Sequence, residues 1–137
     1  LNLALKGEMD MNIQHNVGVA ARIGSYSDAI EVSNNARWLI TSGTPGISAD
    51  GTLPEDFAAQ ASLAWENIIR MLHDADMGVQ DIVKVTQYLI RRSDLDAYRP
   101  IRSSFLGDAK PASMLSFVDE LGWPQMLIEL EIIAAKP

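Results

Sequence analysis

Two glutamates stand two residues apart in LIELEIIAA, residues 127–135, where the remaining positions are apolar. Carboxylates so placed can move protons or position a water for attack. The alternating letters are the signature of a β-strand. Ile128, Leu130, Ile132 and Ala134 fall on one face, and Leu127, Glu129, Glu131 and Ile133 on the other. Glu129 and Glu131 therefore point the same way, about 6–7 Å apart along the strand. The plainer alternative is the solvated face of a sheet, and the pattern alone leaves both readings open.

Other kinds of chemistry find less support. The 137 residues contain no cysteine, which removes disulfides, thiolate nucleophiles and cysteine metal sites together. His15 and His73 stand alone, without metal-ligand spacing. Ser113 has no nucleophile motif around it, and GTPGISADG (43–51) lacks the Gly-Lys-Ser/Thr of a phosphate loop. No metal and no cofactor are expected. A net charge of −7, with Arg91-Arg92 as the densest basic pair, argues against nucleic acid and against anionic membrane surfaces. No apolar run reaches the ~18 residues of a membrane span. Nothing points to secretion, and a cytoplasmic protein is expected.

The elements that must position these residues are legible in outline. Residues 1–11 are expected to be disordered or foreign to the native chain, with Met9 or Met11 as its start, and 12–137 to form one domain. Val17–Ile23, Ala29–Val32 and 36–43 read as strands. Thr52 followed by Pro54 and Glu55 resembles a capping box, so a helix is expected from about Leu53 to Asp74. Its apolar stripe is Phe57, Ala61, Ala64, Ile68 and Met71 or Leu72. DIVKVTQYLI (81–90) reads as a strand buried on both faces. A second helix opens at Ser93, carries Leu95, Tyr98, Ile101 and Phe105, and must be short or kinked because of Pro100. Strands at 113–118 and 127–135 complete the chain. Two helices cannot cover both faces of such a sheet, so they are expected on one face, with the other open for association.

Several phrases then fit together. Tyr26-Ser-Asp-Ala, the TSG of 41–43, Glu66-Asn67, VKVTQYL, Lys110-Pro-Ala and IELEIIAA resemble the YSQA, SGQ, helix-borne, VKVTVYL, KPARS and VEIEAIA phrases of the YjgF/RidA family, in order over about 23–135. The resemblance implies an α+β, chorismate-mutase-like fold: a single mixed sheet, two helices on one face, and a homotrimer with ligand clefts between subunits. It also implies hydrolysis of reactive imines or enamines to carbonyl products and ammonia. Glu131 matches the family glutamate that positions water or does acid–base work. Tyr26, Gly43, Thr44, Ser113, Met114 and Arg99 become the ligand-binding candidates.

The phrase here is KPASM, so Ser113 stands where the family arginine clamps a carboxylate. A hydroxyl cannot imitate a planar, charged, bidentate guanidinium. Arg99, Arg102 or Arg37 could restore the charge, and the sequence does not choose among them. Three functions follow: a deaminase-like enzyme with an altered substrate, a non-catalytic trimer binding a small metabolite, and, weakest, an endoribonuclease.

Overall fold

The computed structural model describes residues 11–137, so all of the 1–11 segment except Met11 lies outside the described residues. Strands β1 (Ile13–His15) and β2 (Ala29–Glu31) pair antiparallel as a small ribbon. A separate five-stranded sheet contains β3 (Arg37–Ile40), β4 (Thr44–Pro45), β5 (Ile82–Leu89), β6 (Ala112–Phe117) and β7 (Ile128–Lys136). Its order is β3-β7-β5-β6, with β4 also paired to β7. Strands β3, β4 and β5 run antiparallel to β7, whereas β5 and β6 are parallel. The sheet is thus mixed, and the parallel pair requires a crossover, which α2 (Leu95–Leu106) supplies.

Helix α1 (Phe57–Asp74) and α2 cover one face of this sheet, giving an α+β domain. The alternation read from LIELEIIAA is real: Ile128, Leu130, Ile132 and Ala134 are all buried beneath the helices. Phe57, Ala61, Ala64, Ile68 and Leu72 of α1 meet them, and Met71 stays at the margin. Trp65 is fully buried and stacks on Phe105 at 6.0 Å. Gln60, also buried, donates to Pro54 O and Gln125 O and accepts from Leu127 N. It ties the entrance of β7 to the start of α1.

The opposite face is uncovered within one chain. It carries Trp38 and Ile40, 56% and 71% exposed, together with Met114 at 52%. In register beside them lie Lys84, Thr86 and Tyr88 of β5 and Glu129 and Glu131 of β7. β5 is accordingly buried on one face and half-buried on the other, rather than buried on both.

Local competition explains the remaining differences. Val17–Ile23 is a turn and a 3₁₀ segment (Ala20–Arg22), not a strand. The Asp28 carboxylate captures the N–H groups of Val17, Gly18 and Ala20, and Gly18 takes φ +90 to allow it. Helix α1 begins at Phe57 because Asp56 caps Ala59 N at 3.0 Å. The N–H of Thr52 is instead bound by Ser48 and Asp50. α2 runs through Pro100, which is exposed and withdraws a single N–H from the helix.

Candidate functional site

A cleft of about 610 Å³ opens between the 23–26 segment, α2 and the first half of β6. Its position is fixed by Ser27, whose N–H bonds Pro111 O at 3.2 Å and whose hydroxyl bonds Lys110 O. This parallel bridge ties the 23–26 segment to β6, so Tyr26 and Ser113, far apart in sequence, line the same cleft. Met114 also lines the cleft, and Arg99 stands exposed at its rim, 3.9 Å from Asp96.

The floor is organised by Gln87, which is almost fully buried. Its Nε2 donates to Ser113 Oγ and Met114 O, each at 3.0 Å. Its Oε1 accepts from Tyr98 OH at 2.6 Å and Arg102 Nε at 3.0 Å. Arginine only donates, so the amide can be oriented in this one way. The Ser113 oxygen accepts from Gln87, which leaves the hydroxyl proton free to donate into the cleft. Trp65 Nε1 donates to Tyr98 OH, extending the network into the core. Burial pushes the Tyr98 hydroxyl well above the usual phenol range, against smaller opposing effects from Trp65 and Arg102, so it keeps its proton.

Arg102 enters the cleft from α2. Its Nη1 lies 3.4 Å from Ser25 O, while its Nη2 is buried and has no hydrogen-bond partner. Burial pulls its pKa down, with the Tyr98 and Tyr26 hydroxyls acting the other way. A guanidinium remains charged under such perturbation. Arg37 is elsewhere, donating to Ala75 O at the end of α1.

The other candidates divide by whether they line this cleft. Tyr26, Ser113, Met114 and Arg99 come together in the cleft. Glu131 sits on the uncovered sheet face, opposite Thr86, and does not line the cleft of its own chain. Glu129 shares that face and packs so closely on Gly43 that a Cβ there would strike its carboxylate. Thr44 is buried, with its hydroxyl spent on Ser42 O, and neither Gly43 nor Thr44 lines the cleft. His15 bonds Glu31 on the surface.

Sequence reasoning missed Gln87 and Tyr98 as parts of this site. The signal for Gln87 was its place at an inward position of an otherwise apolar strand, where an amide must find partners. Tyr98 and Arg102 are four residues apart and share a helical face, which set a cation on the edge of the apolar stripe. A second depression, about 720 Å³ beside α1, is lined by Asn67, Arg70, His73 and Asp74. Two of its polar groups are engaged: Asn67 holds Pro45 O and Ile47 O, and Arg70 bonds Asn67.

Comparison with known proteins agrees with this architecture. The family model described as Endoribonuclease L-PSP matches residues 18–136. A RutC family protein of Pyrococcus abyssi is 34% identical over 116 residues, covering 83% of this chain and 88% of that protein. The 2-iminobutanoate/2-iminopropanoate deaminase of Escherichia coli K12 is 31% identical over 86 residues, 62% of each chain. Among solved structures, the Yersinia pestis protein YyfB, of unknown function in the conserved Rid family, aligns with a TM-score of 0.79 at 25% identity, covering 92% of this chain and 98% of that one. RidA from an Antarctic Psychrobacter aligns at 0.68 and 29%, covering 82% and 89%. Motifs, fold and relatives thus converge, and the chain belongs to the YjgF/RidA family.

Proposed function

We propose that the protein hydrolyses a small imine or enamine to a carbonyl product and ammonia, in clefts completed when three copies associate. The observation that carries this reading is the convergence of Tyr26, Ser113 and Met114, far apart in sequence, around a cleft of metabolite size. The deaminase named among its relatives supports the reaction class. An enamine first gains a proton at its β-carbon and loses one from nitrogen to become the imine; water then adds to the C=N carbon, the resulting carbinolamine loses ammonia, and the carbonyl forms. Glu131 takes a proton from the water and returns it to the leaving nitrogen. It stands on the uncovered face with Trp38, Ile40 and Met114, the surface through which copies associate. Association is what brings Glu131 to a cleft. Ser113 donates its free hydroxyl proton to the ligand, and Tyr26 and Met114 form the walls.

The test is keto-acid formation from imines generated in place by an amino-acid oxidase, in competition with semicarbazide. Wild type should accelerate it and Glu131→Gln should not, with the oligomer unchanged. Equal rates with and without the protein would sink the enzymatic reading. That outcome favours a non-catalytic trimer holding a small metabolite, a reading supported by the separation of Glu131 from the cleft within one chain. The ribonuclease reading is the weakest, because a chain of net charge −7 repels a polyanion.

A further inference from the structure

The cleft has an electrostatic character opposite to that of the protein. The chain carries a net charge of −7, yet among the described residues the cleft lining includes Arg99 and Arg102 and no carboxylate. Arg99 is at the rim and in reach of Asp96. Arg102 is the inner cation, and no Asp or Glu among the described residues pairs with it. A partly buried cation without a counter-ion is costly unless something anionic meets it.

Its geometry says what would meet it. The Nε edge is occupied by Gln87, which fixes the plane of the guanidinium. Nη1 makes one long contact to Ser25 O, and Nη2 is buried with no partner. The edge formed by Nη1 and Nη2 is therefore the one left to bind, and two parallel N–H donors match an oxyanion bidentately. Gln87, which holds Nε, links the guanidinium to Ser113, whose hydroxyl is left with its proton to give. The remaining walls are partly apolar, including Ile23, Leu95 and Leu115, and suit a short hydrocarbon tail better than a fully hydrated ion.

We infer that Arg102, reaching in from helix α2 and held by Gln87, is a seat for the carboxylate of a small aliphatic acid, with the Ser113 hydroxyl as its second donor. The seat lies on the helix and not at the strand position that Ser113 occupies. This assignment rests on the cleft being the ligand site, as proposed above, but not on hydrolysis taking place there.

Butanoate, butanamide and inorganic phosphate are the probes, titrated into the full-length wild type, Arg102→Gln and Arg102→Lys. Butanoate should bind the wild type and shift the Arg102 Nε–H resonance. Its affinity should fall about tenfold or more in Arg102→Gln, with only part retained in Arg102→Lys, which keeps charge without the fork. Butanamide should bind weakly and alike in all three. Unchanged butanoate affinity in Arg102→Gln would overturn the assignment. So would a silent Arg102 resonance in the wild type, which needs no variant to fold. Phosphate binding as tightly as butanoate, with the same dependence on Arg102, would also overturn it in favour of a general anion seat. The two proposals fail separately. Butanoate held by Arg102 without imine turnover removes the deaminase reading alone, and imine turnover indifferent to Arg102→Gln removes the seat alone.

Discussion

Gln87→Met isolates the polar network beneath the cleft. Methionine keeps the length and volume of the side chain while removing its four hydrogen bonds, to Tyr98, Arg102, Ser113 and Met114. Ser113 lines the cleft, where water can replace the amide. Tyr98 cannot be rescued this way: it is fully buried, and its hydroxyl then has no acceptor. An orphaned buried donor costs about 1–3 kcal/mol, and Arg102 Nε adds a share at the lower end because the cleft admits water. The expected loss is about 2–4 kcal/mol, a large part of the 5–15 kcal/mol typical of a domain. In urea, with a slope of about 2 kcal/mol/M, the midpoint should drop by about 1–2 M at fixed protein concentration and unchanged slope. A second variant, Tyr98→Phe, should make the Gln87→Met effect smaller, since the hydroxyl that would be orphaned is gone. A midpoint shift below about 0.3 M for Gln87→Met, or full additivity of the two variants, would show that the network does not hold the floor of the site.

Gly46→Ala should destabilise by about 1–3 kcal/mol, since a Cβ there would collide with the Gln60 backbone carbonyl inside α1, which has no flexible end to yield; thermal unfolding checks it. The backbone N–H of Val17 first, and those of Ala20 and Gly18 with it, hold the Asp28 carboxyl below its usual range. Its folded pKa is depressed, so the anchoring is complete above about pH 4 and is lost as pH falls through the folded value; the protection of the Val17 and Ala20 amides, relative to an unstructured chain at the same pH, should fall there and not at neutral pH. Trp38→Asp with Ile40→Lys, on the uncovered sheet face, should lower the oligomeric state measured by light scattering while leaving the circular dichroism of the fold intact.

How legible the molecule was in its sequence depended on whether a residue's partners were near or far along the chain. Periodicity determined the strong elements: the inward face of LIELEIIAA and the stripe of α1 are buried as their spacing requires. Where several local signals competed, the outcome needed a partner from elsewhere. Val17–Ile23 looks apolar enough for a strand, but Asp28 satisfies its N–H groups in a turn and so removes the donors a sheet would use. Asp56 and Thr52 are both good caps, and Ser48 and Asp50 decided between them by binding the Thr52 N–H.

The site shows the same division. Composition excluded thiol chemistry and argued against a polyanionic ligand, and the motifs identified the family and set Ser113 where the resemblance implies an arginine. Which of Arg37, Arg99 and Arg102 enters the cleft was open, because all three lie on predicted elements whose mutual packing local sequence does not encode. Tertiary structure set Arg102 inside it and left Arg99 at its rim: the parallel β5–α2–β6 crossover sets α2 alongside Gln87 and Ser113, and Tyr98, four residues before Arg102, locks the helix's rotation through a hydrogen bond to that same amide. The two faces of the sheet, by contrast, were written in the alternation of β7. What the sequence by itself determined was therefore the direction in which each side chain points, since that is local geometry. Which side chains meet was decided only by the packing of elements against one another, as Gln87 meets Ser113 across 26 positions and Ser27 meets Lys110 across 83.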